Sequence, residues 1–459
     1  MKKIIYSVLV VASIAFSTSC SESAIDPTVS QNKDLESSIN TQEDLKGILY
    51  GAYNRMTSSA YYGRDYIIFG EVRSDNAYSN ANSNRFVTIG KMDLTAADGQ
   101  ASSGWNQPYA VIGSANIIIS AENIEGDQAL INHYKGQAYA IRALAHFDLL
   151  RVYGQQHVNG GTTPGGIPYV TTFRDESNYF PARNTVDEVY DLAMADLDMA
   201  TSLMSASLND ASKVTITTHA VNAIKARIAL YFGDMTTAAT AAKAVIDSNA
   251  FQIAEAANFA STFSTDGASN SIFELAMSPT DNPGINGLAN IYLQGSYGDI
   301  VGLQDLVDVF EAGDIRGGSD FIEVDGNGFI RNIGKYPSNT FDDNIGIFRY
   351  EEMILIYAEA ILATNPANAL LYLNMIPAKR GASAYLSATL DNILLERRKE
   401  FAFEGFRFDD LARNGRDIPL VDALRQTHGG VTYGAYNYAF PIPSGEVDVN
   451  SNVVQNKDY

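Results

Sequence analysis

Cysteine, tryptophan and histidine are scarce in this sequence. Its 459 residues include one cysteine, Cys20, one tryptophan, Trp105, and five histidines. A single cysteine excludes any intrachain disulfide. No two histidines are four residues apart, so the HExxH zinc site of metalloproteases is excluded as well.

Several motifs that mark catalysis or nucleotide binding are also missing. The sequence has no G-x-S-x-G elbow, no P-loop and no dinucleotide-binding fingerprint. Asp448, Asn450 and Asn452 alternate like calcium ligands, but the glycine and final glutamate of an EF-hand loop are absent, which favours a plain polar loop. Carboxylates are abundant, yet nothing singles out a catalytic pair. We therefore predict no catalytic residue, no metal and no cofactor.

Basic residues are few relative to acidic ones. The chain has 32 lysines and arginines against 53 aspartates and glutamates, a net charge of −21. Without residues 1–19, which contain two lysines, the balance is 30 against 53, a net charge of −23. Such a surface repels phosphate backbones and anionic polymers. Nucleic acid is thus excluded as a favoured ligand, and a neutral molecule is preferred over an acidic one.

Long hydrophobic runs are confined to the N-terminus. Two lysines precede a mostly apolar stretch, Ile4 to Phe16, and small residues follow up to Cys20. The stretch is shorter than the ~20 apolar residues of a membrane-spanning helix, so residues 1–19 are interpreted as a secretory signal peptide. The junction resembles a bacterial lipobox, although Ser17 stands where that pattern prefers leucine. We predict lipid attachment at Cys20, the alternative being an ordinary signal with a chance cysteine, and a polar tether over residues 20–40.

Helical periodicity dominates the next part of the chain, residues 41–250. Thr41 is a suitable N-cap for the first helix, and further apolar stripes predict helices at about 108–121, 133–153, 186–203, 219–232 and 236–248. The last two flank Gly233, with Ala226 before the turn and Ala238 after it. Small residues facing each other across a glycine turn are typical of tetratricopeptide-like hairpins. The sequence therefore predicts a mainly α fold on a scaffold of helical hairpins.

A loop-rich second region follows at residues 251–348, where glycine, asparagine, serine and aromatics replace the helical pattern. Residues 349–459 return to a helical hairpin, at 351–363 and 367–380, and then a closing segment. Long loops on a rigid scaffold usually carry function. We therefore expect the ligand site in residues 251–348 and in the aromatic segment from Tyr61 to Trp105.

Aromatic side chains can stack on the apolar faces of sugars, and neighbouring polar side chains can form hydrogen bonds with the sugar hydroxyls. The candidate ligand-binding residues chosen on this ground are Trp105, Tyr61, Tyr62, Arg73, Asn76, Tyr78, Tyr292, Tyr297 and Tyr336. Core packing is the alternative for each, above all for Trp105. The nearby carboxylates Glu396 and Glu400 are interpreted as part of a salt-bridged helix face and not as a catalytic pair.

Motifs spread over the whole chain resemble one known family, the SusD/RagB nutrient-uptake lipoproteins. The segments that carry the resemblance are Trp105–Tyr109 (WNQPY), Arg142–Leu149 (RALAHFDL), Arg183–Tyr190 (RNTVDEVY), Tyr357–Ala360 (YAEA), Glu396–Arg407 (ERRKEFAFEGFR) and Pro441–Pro443 (PIP). Two departures stand out. Pro377 replaces a usual arginine, which puts the end of that helix in question, and residues 251–348 match no motif of the family.

This resemblance implies a role. Members of the family capture a nutrient, often an oligosaccharide, at the outer membrane and pass it to a TonB-dependent transporter of the SusC type, over which they sit as a lid. It also implies a lipid anchor, a surface location and an aromatic platform for the ligand. Two other functions stay open: peptide capture on the same fold, and hydrolysis of a glycan by a secreted glycoside hydrolase.

Overall fold

The computed structural model describes residues 39–293 and 297–459, so Cys20, the predicted signal peptide and most of the predicted tether lie outside the described residues. The fold is mainly α. Its helices are α1 (Gln42–Met56), α2 (Asp65–Val72), α3 (Val87–Lys91), α4 (Gly99–Ser120), α5 (Gln128–Tyr153), α6 (Val186–Leu203), α7 (Thr218–Tyr231), α8 (Met235–Asp247), α9 (Leu288–Tyr292), α10 (Gln304–Asp308), α11 (Tyr350–Ala360), α12 (Pro366–Leu373), α13 (Leu390–Glu400), α14 (Arg407–Ala412) and α15 (Ser444–Val447). The strands are β1 (Ala77–Ser79), β2 (Ser271–Leu275), β3 (Ile300–Gly302), β4 (Ile322–Val324), β5 (Ile330–Asn332) and β6 (Ile345–Arg349).

Local sequence signals account for most helix ends. Thr41 is the N-cap of α1, as predicted, and forms a capping box with Asp44. The prediction for α4 was wrong at its start: the helix begins at Gly99, capped by the Asp98 side chain, and Pro108 lies inside it. The predicted helix over 367–380 is also too long, because α12 ends at Leu373 and only a single 3₁₀ turn starts at Pro377.

The larger helices pack against one another in series. Helix α4 packs on α1 and α5, α5 on α6, α7 on α8, and α11 on α8 and α12. The α7–α8 hairpin turns at Gly233, whose φ of +77° favours a residue without a Cβ. Ala226 and Ala238 are both fully buried, so the two backbones approach closely at the turn, as predicted.

Two small antiparallel sheets complete the fold. One has the strand order β1-β3-β5-β4 and the other pairs β2 with β6. In the first sheet Tyr78 of β1 pairs with Val301 of β3. This pairing joins the aromatic segment near Tyr61 to the loop-rich region, although more than 200 residues separate the two strands in the chain.

One continuous cluster of buried apolar side chains extends from Leu45 to Val453. It includes residues of the hairpin array, of both sheets and of the closing segment, so the region 251–348 packs onto the scaffold and shares its core. Within the described residues, no helix is both long and apolar enough to cross a bilayer.

Candidate ligand-binding surface

Most of the predicted ligand-binding side chains are buried. Eight of the nine have at most 8% of their surface exposed, which favours the alternative of core packing: Trp105, Tyr61, Tyr62, Arg73, Asn76, Tyr78, Tyr292 and Tyr336. Tyr297 is the exception and is partly exposed.

Packing explains the buried rings. The Tyr61 hydroxyl donates to the Asp148 carboxylate at 2.5 Å, and the ring centroid of Tyr62 lies 4.5 Å from that of Tyr61. In the second region, Tyr292 lies parallel to Tyr336 at 6.2 Å and donates to the Phe403 carbonyl. Tyr61 and Tyr292 form hydrogen bonds through their hydroxyl groups, and the other rings fill the core. The clustering of tyrosines in the sequence is therefore explained by core packing.

The polar motif Arg73–Asn76 is buried because distant residues pair with it. The Asn76 side-chain oxygen Oδ1 accepts a hydrogen bond from Arg398 Nε at 2.9 Å, and the Asp75 carboxylate accepts two from Arg407 at 2.7 and 2.8 Å. The Arg73 guanidinium lies 3.7 Å from the centroid of the Phe408 ring. The motif therefore fixes the α13–α14 segment against the end of α2.

Glu396 and Glu400 are ion-paired, as predicted, but they lie inside the protein, and most of their partners are arginines outside α13. Both are fully buried, and Arg316 contacts both, at 2.6 Å and 3.1 Å. Burial alone would raise the pKa of Glu400, but the charges of Arg380, Arg349 and Arg316 outweigh it and hold that pKa well below its usual range. A carboxylate held ionised away from solvent is unsuited to the general-acid role of a glycosidase.

Tyr297 lies against a residue that the sequence pattern did not single out, Arg85. The Arg85 guanidinium carbon lies 3.7 Å from the centroid of the Tyr297 ring, which is a cation–π contact. Two further hydrogen bonds orient the guanidinium: one to Ser83 Oγ at 2.8 Å and one to the Asn286 side-chain oxygen at 3.2 Å. The result is a flat cationic group fixed on a partly exposed ring.

The loop of residues 79–86 is held against the segment that carries Tyr297. The Asn82 amide donates to the Tyr297 carbonyl at 2.6 Å, and the Asn80 amide donates to the Gly298 carbonyl at 3.1 Å. Asp299, which is fully buried, accepts from the Ser83 amide at 2.7 Å and from its hydroxyl at 2.5 Å. Contacts to the loop are therefore distributed over its length, and they fix it in one conformation.

Backbone strain is concentrated in the same loop. Ala81, Asn84 and Phe86 have φ values of +61°, +59° and +59°, a region that side chains other than glycine rarely adopt. A non-glycine residue in this conformation destabilises the fold by on the order of 1–3 kcal/mol, and such strain is often found at ligand sites. Of these three, Ala81 and Asn84 are exposed and Phe86 is buried.

We call the resulting patch the Arg85–Tyr297 surface, formed by Asn80, Asn82, Arg85, Asn286 and Tyr297. It presents one ring, one guanidinium and three amides, which can stack on a sugar face and bond sugar hydroxyls. The sequence contained one signal for the residues of this surface that were not predicted. The run SNANSNR at 79–85 is polar and lacks helical periodicity. The sequence did not show that this run meets Tyr297.

Comparison with known proteins gives the family. Residues 28–230 match the SusD-like family described as starch-binding and associating with the outer membrane, and residues 327–459 match the SusD family shared with RagB. The chain belongs to the SusD/RagB family. The resemblance noted from the motifs is thereby confirmed, and the unmatched stretch between the two ranges includes Tyr297.

Other SusD/RagB proteins align over nearly the full length. SusD-like protein P38 of Formosa agariphila is 26% identical over 492 residues, covering 92% of this chain and 93% of that protein. The solved structure of a SusD superfamily protein from Bacteroides vulgatus has a TM-score of 0.84 at 28% identity, covering 92% of this chain and 99% of that one. The surface glycan-binding protein A of Bacteroides fluxus shares the fold, with a TM-score of 0.74 at 24% identity and coverage of 92% and 100%.

Proposed function

We propose that this protein captures a neutral oligosaccharide at the Arg85–Tyr297 surface and delivers it, unchanged, to a TonB-dependent outer-membrane transporter of the SusC type. The family is one of carbohydrate-binding proteins associated with the outer membrane. The observation that carries the proposal for this chain is the Arg85 guanidinium held 3.7 Å above the Tyr297 ring, with asparagine amides around it.

Charge supports a neutral ligand. Arg85 is the only cation among the five residues of the surface, and its guanidinium is already engaged by Ser83, Asn286 and the Tyr297 ring. The chain as a whole carries a net charge of −21. The negative charge of the protein would repel an acidic glycan, and few cations at the surface would offset that repulsion. The repulsion is strongest at low salt.

Anchoring belongs to the same proposal. A lipid on Cys20 would hold the protein at the outer membrane, and residues 20–40 would serve as the tether that lets it move over the transporter. Capture followed by release needs modest affinity, so we expect dissociation constants between micromolar and millimolar, roughly −8 to −4 kcal/mol.

Peptide capture is the other candidate function, and one feature favours it. Strand β4 lies at the edge of the four-stranded sheet, and Val324 on it is 64% exposed. An extended peptide could add a strand there. The edge has only three residues, Ile322 to Val324, which is short for backbone recognition.

Calorimetric titration with neutral oligosaccharides, acidic oligosaccharides and peptides tests the proposal. Tyr297→Ala should weaken binding of the neutral sugar by about 1–3 kcal/mol, or roughly 5- to 150-fold in Kd, because a stacking surface is lost. Arg85→Lys keeps the charge but loses the flat guanidinium, so it should also weaken binding.

Tyr50→Ala is the matched control, since Tyr50 on α1 is a 47% exposed tyrosine outside the surface. It should bind like the wild type. If Tyr297→Ala and Arg85→Lys bind the sugar as tightly as Tyr50→Ala does, the Arg85–Tyr297 surface is not the ligand site.

A further inference from the structure

A cleft elsewhere in the molecule has walls of aromatic rings. It lies between α4, the segment 168–181 and α15, and encloses about 270 Å³. Its lining includes Trp105 and Tyr109 of α4, Tyr179 of the segment and Glu446 of α15. We call it the Trp105–Tyr179 cleft; none of its lining residues belongs to the Arg85–Tyr297 surface.

The α4 side of the cleft is rigid. The Trp105 ring is 3% exposed and lies 5.0 Å from both the Tyr109 and the Tyr153 ring. The Tyr109 hydroxyl donates to the Pro168 carbonyl at 2.8 Å, which ties this side to the opposite segment. The indole that lines the cleft is therefore held in a fixed position.

Buried asparagines hold the opposite segment at both ends. Asn116, 1% exposed, donates to the carbonyls of Val170 and Thr172 at 3.0 and 3.1 Å. Asn450, also 1% exposed, donates to the Pro181 carbonyl at 3.0 Å. Between these two fixed points Tyr179 is 55% exposed and has a ring face free of core packing. The cleft is thus a built feature and not a gap between loose loops.

Unused hydrogen-bonding groups line this cleft. Within the part of the chain that the structure describes, the side-chain amides of Asn106 and Asn178 and the Tyr179 hydroxyl have no protein hydrogen-bond partner, and all three residues are exposed. Amides and a phenol can both donate to and accept from hydroxyl groups. Rings together with such groups fit a sugar better than they fit an apolar molecule.

Charge and size narrow the ligand further. The lining of the cleft includes one cation, Arg174, and two carboxylates, Asp175 and Glu446, so it does not favour an anion. Hydrogen bonds from Ser177 lower the pKa of Asp175, which keeps that carboxylate charged. A volume of about 270 Å³ is just below the roughly 300–1,000 Å³ of typical small-molecule pockets, which suits a single sugar ring and not a chain.

We propose that the Trp105–Tyr179 cleft is a second carbohydrate site, which binds a single neutral pyranose unit independently of the Arg85–Tyr297 surface. The inference that the ligand is a carbohydrate rests on the proposed function. The inference that it binds here rests on the geometry of the cleft. A branched or long glycan that reached both sites would be held by two weak contacts at once, and its apparent affinity would exceed that of either.

Trp105 supplies a selective reporter, because it is the only tryptophan in the sequence. Tryptophan emission is followed while the purified protein is titrated, to tens of millimolar, with the methyl pyranosides of glucose, galactose, mannose and xylose. At least one of these should change the emission saturably in the wild type and equally in Tyr297→Ala. The Tyr179→Ala variant should need at least about tenfold more sugar for the same change.

Tyr50→Ala is again the matched exposed tyrosine and should respond like the wild type, and melting temperatures check that all variants are folded. The second site is refuted if none of the four pyranosides changes the emission, or if the change is lost in Tyr297→Ala and kept in Tyr179→Ala. A failure of the proposed function would be recognised by a different result. Calorimetry would then show no binding of oligosaccharides, or binding that Tyr297→Ala does not weaken.

Discussion

Glu400 is surrounded by arginines in a region closed to solvent. Its carboxylate lies 3.0 Å from Arg380 Nη2, 3.1 Å from Arg349 Nη1 and 3.1 Å from Arg316 Nη1, and the residue is fully buried. Glu400→Gln would remove the carboxylate charge that three buried guanidinium groups share, although each of them keeps another carboxylate partner. We expect the free energy of unfolding to fall by about 3–5 kcal/mol, as measured by chemical denaturation.

Asp247→Asn is the control for this change, because Asp247 pairs with Lys243 on the exposed face of α8 and its side chain is 60% exposed. Removing that pair should cost only about 0.3–0.5 kcal/mol. Equal losses in the two variants would contradict the burial of the Glu400 network and restore the simple helix face expected from the sequence.

His146 makes the stability of the protein depend on pH. Burial lowers its pKa to about 3, its Nε2 accepts from the Val170 amide, and its Nδ1 bonds to the Arg142 carbonyl. A proton on Nε2 would face the Val170 N–H, so the folded ring stays neutral. The unfolded chain takes up that proton below its pKa of about 6.5. Stability is therefore full above about pH 6.5 and is lost as the pH falls towards 3.

His146→Gln removes this titration while keeping a side chain that can bond the same segment. Below about pH 6.5 the wild type should lose up to about 1.4 kcal/mol per pH unit relative to the variant. Unfolding curves for both proteins at about pH 7.5 and about pH 5 measure the difference. A constant difference across that window would mean that His146 takes up its proton as readily in the folded protein as in the unfolded chain, which contradicts a lowered pKa.

At the level of elements, α2 packs directly on the backbone that follows α13. A Cβ placed on Gly70 would lie 2.0 Å from the Gly405 carbonyl oxygen, and neither backbone can yield cheaply. Gly70→Ala should therefore destabilise the protein even though alanine is the better helix former. Since Asp75 and Asn76 follow α2, this packing also fixes the start of β1.

Gly47→Ala separates packing from helix propensity. Gly47 lies on α1 with nothing within 4 Å of its Cβ position, so alanine there should raise the melting temperature or leave it unchanged. Thermal unfolding of the two variants gives opposite signs if the contact between α2 and Gly405 is as close as described. A rise in both would contradict it.

Short-range signals predicted much of the scaffold and little of the ligand surface. The capping residue Thr41 and the turn at Gly233 act within a few residues, so their helices could be predicted. Arg73 and Asn76 looked like exposed polar groups because their partners on α13 and α14 lie more than 300 residues away. The contact of Arg85 with Tyr297 crosses more than 200 residues, and no local pattern encodes it.

The whole molecule is a hairpin scaffold with two polar, aromatic surface regions proposed as ligand sites, and its Glu396–Glu400 charge network is buried. Glu396 and Glu400, the carboxylate pair considered for catalysis, are fully buried among arginines. Tyr297 and Arg85, the partly exposed groups of the proposed ligand surface, offer a ring and hydrogen-bond donors. This arrangement is consistent with the proposed capture role.

The most direct measurement is calorimetry of the purified protein with a panel of neutral glycans, acidic glycans and peptides, followed by chromatography of the recovered ligand. We expect a neutral oligosaccharide to give heat of binding with a Kd between micromolar and millimolar, roughly −8 to −4 kcal/mol. The sugar should be recovered at its original length. Heat from acidic glycans or peptides alone would contradict the neutral-sugar assignment, and a shortened sugar would contradict capture itself.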